Sequence, residues 1–183
     1  VGALGSHLVL AIRNLTAKVT VIDFDRVESK NVMSQFHTKL GVGRNKTLAL
    51  QQAMQGMFGT KIDIVPHRLT ADNVEQLLGG ADLVVDCLDN GASRLLVQGF
   101  VRTKDIPCLH GAVDDAGTCG RVVWDERFEV DVGTAVGQPT CEGGEHLPFI
   151  CTVSAFLAVA VRRFVEQNQR VGYEINPGGV IRT

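Results

Sequence analysis

Val1-Gly2-Ala3-Leu4-Gly5-Ser6, with the apolar run 8–12 behind it and Val19-Thr20-Val21-Ile22-Asp23 further on, is the stretch that decides the fold. Two glycines three residues apart, directly before an apolar run, mark a turn that joins a strand to a helix. Residues 19–23 are β-branched and apolar and end on an acid, which reads as a strand. No strand pattern stands before Val1. The first strand is therefore expected upstream, with one more glycine completing G-V-G-A-L-G.

Outward from that stretch, helix and strand patterns alternate. Residues 44–58 read as an amphipathic helix with Leu50, Met54, Met57 and Phe58 inward. Residues 63–66 form a weak strand, and 73–78 a short helix capped by Thr70 or Asp72. DLVVDCL at 82–88 is a strong buried strand with Asp89-Asn90-Gly91 as its turn, and Ser93 is placed to cap a helix to about residue 104. Residues 107–110 and 121–124 read as strands. Periodicity dissolves over 126–148. Residues 152–167 form a helix apolar on nearly every face, which requires burial or a subunit interface. Residues 173–181 look like a hairpin. This alternation predicts an α/β, Rossmann-like, doubly wound and mostly parallel sheet with helices on both faces. One domain is expected over 1–183, with a long loop at 126–148 and a C-terminal hairpin at 168–183.

Composition narrows the class. Eighteen Lys and Arg against 20 Asp and Glu give a net charge of −2, which offers no overall basic footprint for nucleic acid. The apolar run 150–161 is too short to span a bilayer, and no signal peptide is visible. A soluble, cytoplasmic protein is expected. Five cysteines, an odd number without any C-x-x-C pair, argue against a disulfide framework and a structural zinc. Cys87, Cys108, Cys119 and Cys151 are expected to pack in the core.

The chemistry should lie just past strand ends. Gly2 and Gly5 would let backbone and helix N-terminus approach a phosphate, and Asp23 stands where a ribose hydroxyl is gripped. Residue types alone leave an NAD-type dehydrogenase and an ATP-binding enzyme both open.

Longer motifs separate the two. The run Asp23-Phe24-Asp25-Arg26-Val27-Glu28-Ser29-Lys30-Asn31-Val32-Met33-Ser34-Gln35 resembles the D-x-D-x-V-x-x-x-N-L-x-R-Q signature of the ThiF/MoeB/HesA family, relatives of ubiquitin-activating enzymes. Gly41-Val42-Gly43-Arg44-Asn45-Lys46 is similar to its V-G-x-x-K. Asp86-Cys87-Leu88-Asp89-Asn90 with Arg94 is similar to D-C-x-D-N-x-x-x-R. Pro139-Thr140-Cys141-Glu142 before Val153-Ser154-Ala155 matches a crossover loop and its following helix. The resemblance runs in order to about residue 167.

It implies ATP- and Mg²⁺-dependent adenylation of the C-terminal glycine carboxylate of a ubiquitin-like or sulfur-carrier protein, by a homodimer. Under it Gly2 and Gly5 line the nucleotide turn, and Asp23 holds the ribose with Asp25 beside it. Asn31 and Gln35 face the phosphates, Lys46 opposes their charge, and Asp89 binds Mg²⁺. Arg94 pairs with a nearby acid, and Cys141 is a candidate for a covalent link to the carrier or a bystander. Ser34 stands where the family has an arginine, and a hydroxyl offers no charged fork. Either Arg26, Lys30 or Arg44 compensates, or adenylation is poor. Two rivals therefore stay in view: an NAD(P)-dependent oxidoreductase, and a degenerate module that binds a ubiquitin-like partner without activating it.

Overall fold

The computed structural model describes residues 1–130 and 144–183. It contains five helices, α1 (Ala3–Ala11), α2 (Lys46–Phe58), α3 (Val74–Leu78), α4 (Gly91–Lys104) and α5 (Leu147–Gln167), among the described residues. Strands β1 (Thr20–Ile22) and β2 (Asp63–Val65) form one sheet. β3 (Val84–Asp86), β4 (Cys108–Val113), β5 (Gly120–Trp124), β6 (Tyr173–Asn176) and β7 (Gly179–Arg182) form a second, in that order.

The α/β fold follows the sequence pattern, and the direction of pairing follows the connections. β1 with β2 and β3 with β4 are parallel, each pair joined through a helix. β4 and β5 are joined by a short turn, so they must run antiparallel. In that turn Asp114 accepts from the amides of Thr118 (2.7 Å) and Cys119 (2.9 Å), and Gly117 takes φ +65°. β6 and β7 form the expected hairpin and extend the sheet antiparallel beyond β5.

α5 begins at Leu147, five residues before the pattern, and spans 21 residues. By length and hydropathy alone it would cross a bilayer. Here Ile150, Val153, Leu157, Ala160 and Val161 are buried against Leu4 and Leu8 of α1, Leu109 of β4 and Val122 of β5. It is the central helix of the core.

Several local expectations change. Asn90, rather than Ser93, caps α4, its Oδ1 accepting from the Ser93 amide at 2.8 Å. Neither Thr70 nor Asp72 caps α3; instead Asn73 Oδ1 accepts from the Thr70 amide at 2.8 Å. In α2, Leu50 and Met54 are fully buried, but Met57 and Phe58 on the last turn are exposed, Phe58 lying beneath the Arg13 guanidinium. Cys108 is buried and Cys87 partly so, as the apolar pattern implied, but Cys119 and Cys151 are exposed. Cys119 lies at the β4–β5 turn. Cys151 falls on the outer face of α5, between the inward Ile150 and Val153.

Candidate functional site

α1 starts at a bare turn. Gly2 is its N-cap and offers no side-chain bond to the first-turn amides. Residues 31–37 wrap this turn. The Gln35 amide nitrogen lies 4.0 Å from where a Gly2 Cβ would stand, and His37 Nε2 donates to the Val1 carbonyl at 3.1 Å. Gln35 is 6% exposed, yet its Oε1 has no hydrogen-bond partner. Burial pushes the His37 imidazole down to about 4, so the ring is neutral at pH 7. Gly5 plays a different part from Gly2. A Cβ there would face the Cys87 Cβ just past β3 at 3.6 Å, an ordinary contact distance.

The acid and the lysine belong to one local structure. Asp23, at the end of β1, accepts the Asp25 amide on Oδ1 at 2.9 Å. Asn45 caps α2 by accepting from the Thr47 amide at 2.9 Å, and its Nδ2 donates to the Asp23 carbonyl at 3.0 Å. That cap ties the start of α2 to the end of β1. It delivers Lys46, 8% exposed, with Nζ 3.1 Å from Asp25 Oδ2. An ammonium carries three donors, and its carboxylate partner is half exposed.

Asn31 is buried, but its Oδ1 accepts the Glu28 amide at 2.9 Å in a capping box, so much of its polarity serves the turn. Asp89 is exposed in the turn after β3, with Oδ1 3.5 Å from Asn90 Nδ2. Magnesium bound with a nucleotide takes one or two protein carboxylates plus phosphate oxygens and water, and an exposed strand-end carboxylate fits that donor set. Ser34 is fully buried, and its carbonyl accepts from His7 Nε2 at 3.2 Å. Of the three suggested stand-ins for an arginine, Arg26 donates to the Gly43 carbonyl at 2.7 Å and Arg44 donates to Gln52. Lys30 lies 3.6 Å from Glu28. Cys141 lies outside the described residues.

One cluster escaped the sequence. Arg94 does pair with an acid, Asp86, at 3.2 Å. Asp86 Oδ2 also meets His110 Nδ1 at 2.7 Å, and His110 Nε2 meets Asp125 Oδ1 at 3.0 Å. Asp86 and His110 are register partners in β3 and β4, a relation visible only once the pairing is known. Beside them burial, then the Asp86 charge, pushes the Cys87 thiol up to about 12, leaving an inert core thiol.

Comparison with known proteins gives the family and the fold. The chain is 35% identical to a sulfur carrier protein adenylyltransferase of Thermus thermophilus over 98 residues, 52% of this chain and 36% of that protein. It is 32% identical to the SAMP-activating enzyme E1 of Haloferax volcanii over 118 residues, 61% of this chain and 43% of that one. The matches thus span less than half the length of these relatives. The fold matches that of Escherichia coli MccB, solved with AMPCPP and MccA, at a TM-score of 0.78 and 14% identity, covering all of this chain and 61% of MccB. The ThiF family profile matches residues 1–159, from the bare turn of α1 through most of α5, and the chain belongs to that family.

Proposed function

We propose that this chain binds ATP at the α1 turn and adenylates the C-terminal glycine carboxylate of a ubiquitin-like or sulfur-carrier protein. The observation that carries this is Lys46: a buried ammonium, held by one half-exposed carboxylate, beside the strand-end acid Asp23. A dehydrogenase needs the acid and the glycines but has no use for a buried cation at that point. Adenylation does, because charge on the polyphosphate must be opposed while the reactants are held in line. The names of the relatives, adenylyltransferases of sulfur carriers, support the same chemistry.

In the reaction a carboxylate oxygen of the carrier forms a bond to the α-phosphorus, the bond from that phosphorus to the bridging oxygen breaks, and pyrophosphate leaves. Asp23 grips the ribose, and the free amides of the first turn of α1 meet the phosphates beside Gly2. The unpartnered Gln35 Oε1 awaits a donor from the nucleotide or its water shell, and Lys46 opposes the phosphate charge. Asp89 would hold Mg²⁺, which supplies further charge neutralisation on the phosphates. A homodimer through the outer face of α5, where Cys151, Ala155 and Val159 are exposed, completes the proposal.

The test is a thermal-shift titration of the gene-length protein with ATP·Mg²⁺, NAD⁺ and NADP⁺, followed by ATP–pyrophosphate exchange with a carrier ending in glycine. Ligand at about 100 times its dissociation constant stabilises by roughly 2.7 kcal/mol, a shift of a few degrees. Stabilisation by ATP·Mg²⁺, lost in Asp89→Ala, together with exchange, is the expected result. Stabilisation by NAD⁺ alone overturns it. ATP binding without exchange would transfer the weight to Ser34 and a carrier-binding module.

A further inference from the structure

Asp86, His110 and Asp125 form a buried line from the end of β3 to the residues just past β5. Both ring nitrogens of His110 face carboxylate oxygens, which only accept hydrogen bonds when ionised. The ring lies flat on Phe128, with centroids 4.0 Å apart and planes 7° apart. Asp125 is held in turn by Gln98 at 2.9 Å and Arg102 at 2.6 Å, both from α4. Cys108 Sγ lies 3.5 Å from the same ring.

The other end of the line reaches the candidate site. Asp86 Oδ1 accepts the Leu88 amide at 2.8 Å. Arg94, paired with Asp86, donates to the Leu88 carbonyl and, at 2.9 Å, to the Gly111 carbonyl. Both backbone groups of Leu88 are therefore pinned by the Asp86–Arg94 pair. Asp89 follows directly, and Asn90 after it is fixed as the cap of α4.

We propose that His110 is a positioning residue for Asp89, acting through Asp86 and Arg94 on the backbone of Leu88. This rests on Asp89 being the carboxylate that holds the nucleotide's Mg²⁺. Without His110, Asp86 loses its shortest partner and is free to turn toward Arg94, which releases the Leu88 amide. The groups behind a metal ligand typically change metal affinity about 10- to 100-fold.

Two measurements on the full chain test this. In His110→Leu, hydrogen exchange at the Leu88 amide is expected to quicken about tenfold or more, with the amides of β1 unchanged. ATP affinity in Mg²⁺ is expected to fall about 10-fold or more, while affinity in EDTA stays within about twofold. His110→Gln, whose amide can still donate to Asp86, should recover part of both effects. Asp125→Asn, which weakens the far anchor and keeps the volume, gives the same comparison if His110→Leu fails to fold. Unchanged exchange at Leu88, or equal losses with and without Mg²⁺, would overturn the proposal. A wild-type chain that binds no ATP sinks the adenylation proposal instead, and exchange at Leu88 then decides by itself whether His110 positions Asp89.

Discussion

Two polar regions of this protein use the same residue types in opposite ways. Around the starts of α1 and α2, Lys46 leans on a half-exposed Asp25, and the buried Gln35 Oε1 and His37 Nδ1 have no hydrogen-bond partner. Between β3, β4 and α4, Asp86, His110, Asp125, Gln98 and Arg102 satisfy one another. Even Arg94 Nη1, which makes no aligned hydrogen bond, lies 3.2 Å from Asp86. A buried polar group left unpaired costs about 1–3 kcal/mol. Two such groups beside one turn, against one ion-paired atom in the other network among the described residues, favour the proposal that this turn takes a ligand. The closed network sets the backbone beside it.

The sharpest way to break this contrast is to remove one carboxylate from each region. Asp86→Ala strands a histidine and an arginine in the core and is expected to lower unfolding free energy by about 3–5 kcal/mol. Asp25→Ala also strands the buried Lys46 ammonium, but the Asp23 charge stays beside it, so the loss should be smaller, about 1–2 kcal/mol. Urea denaturation of both variants checks this, and similar losses would erase the distinction.

Acid comes next in size and acts on the open region. His37 Nε2–H is spent on the Val1 carbonyl, so a second proton on Nδ1 would sit buried with no acceptor. Burial likewise pushes His7 below its ordinary value, although its bond to the Ser34 carbonyl pulls the other way. With folded values below the unfolded one, the unfolded chain binds the proton more readily. Stability is then full above about pH 6.5 and falls as pH drops toward 4, by about 3 kcal/mol for His37 alone. In Asp125, burial pushes the carboxyl up, but bonds from Arg102, Gln98 and His110 hold it below the usual range, so its loss begins only at lower pH. A melting series from pH 7 to 4 should show the decline in wild type and a shallower one in His37→Gln. An equal slope in both would place the sensitivity elsewhere.

What the sequence made legible divides along the same line. The open region is local: Asp23, Asp25, Asn45 and Lys46 come together through one strand end and one helix cap, so short motifs could name them. The closed network is not. Asp86, His110 and Asp125 meet only through the β3–β4 register and the turn after β5, and single strands with one polar residue each carry no sign of that meeting. Pairing direction was half legible for the same reason, since alternation of helix and strand reveals parallel units but not where a chain begins to fold back on itself. Cys151 was misplaced because apolar neighbours in sequence do not say which face of a helix each one occupies.

Lys46 sharpens the contrast on the ligand side. Lys46→Met keeps the stem and removes the charge. Its pairing with Asp25 contributes about 1 kcal/mol or less to folding, so the melting temperature should barely move. A charge-assisted bond to phosphate contributes about 1.5–3 kcal/mol, so ATP affinity should fall roughly 10- to 100-fold. Calorimetric titration alongside thermal melting separates the two. A large fall in stability with unchanged affinity would make Lys46 a structural residue like Arg94.

The smallest effect divides the two glycines of the turn. A Gly2 side chain would point toward Gln35 and the approach of the phosphates, whereas a Gly5 side chain meets the Cys87 Cβ at 3.6 Å and the Val1 side chain at 3.8 Å, ordinary contact distances. Gly5 also lies within the first turn of α1, where alanine is favoured over glycine by about 0.5–1 kcal/mol. Gly5→Ala should therefore leave stability unchanged or slightly raised and ATP affinity intact, provided α1 keeps its distance from β3. A loss of ATP affinity without loss of stability would show that Gly5, like Gly2, belongs to the open region. A loss of stability would show that the α1–β3 contact has no room for a methyl group and belongs with the closed core.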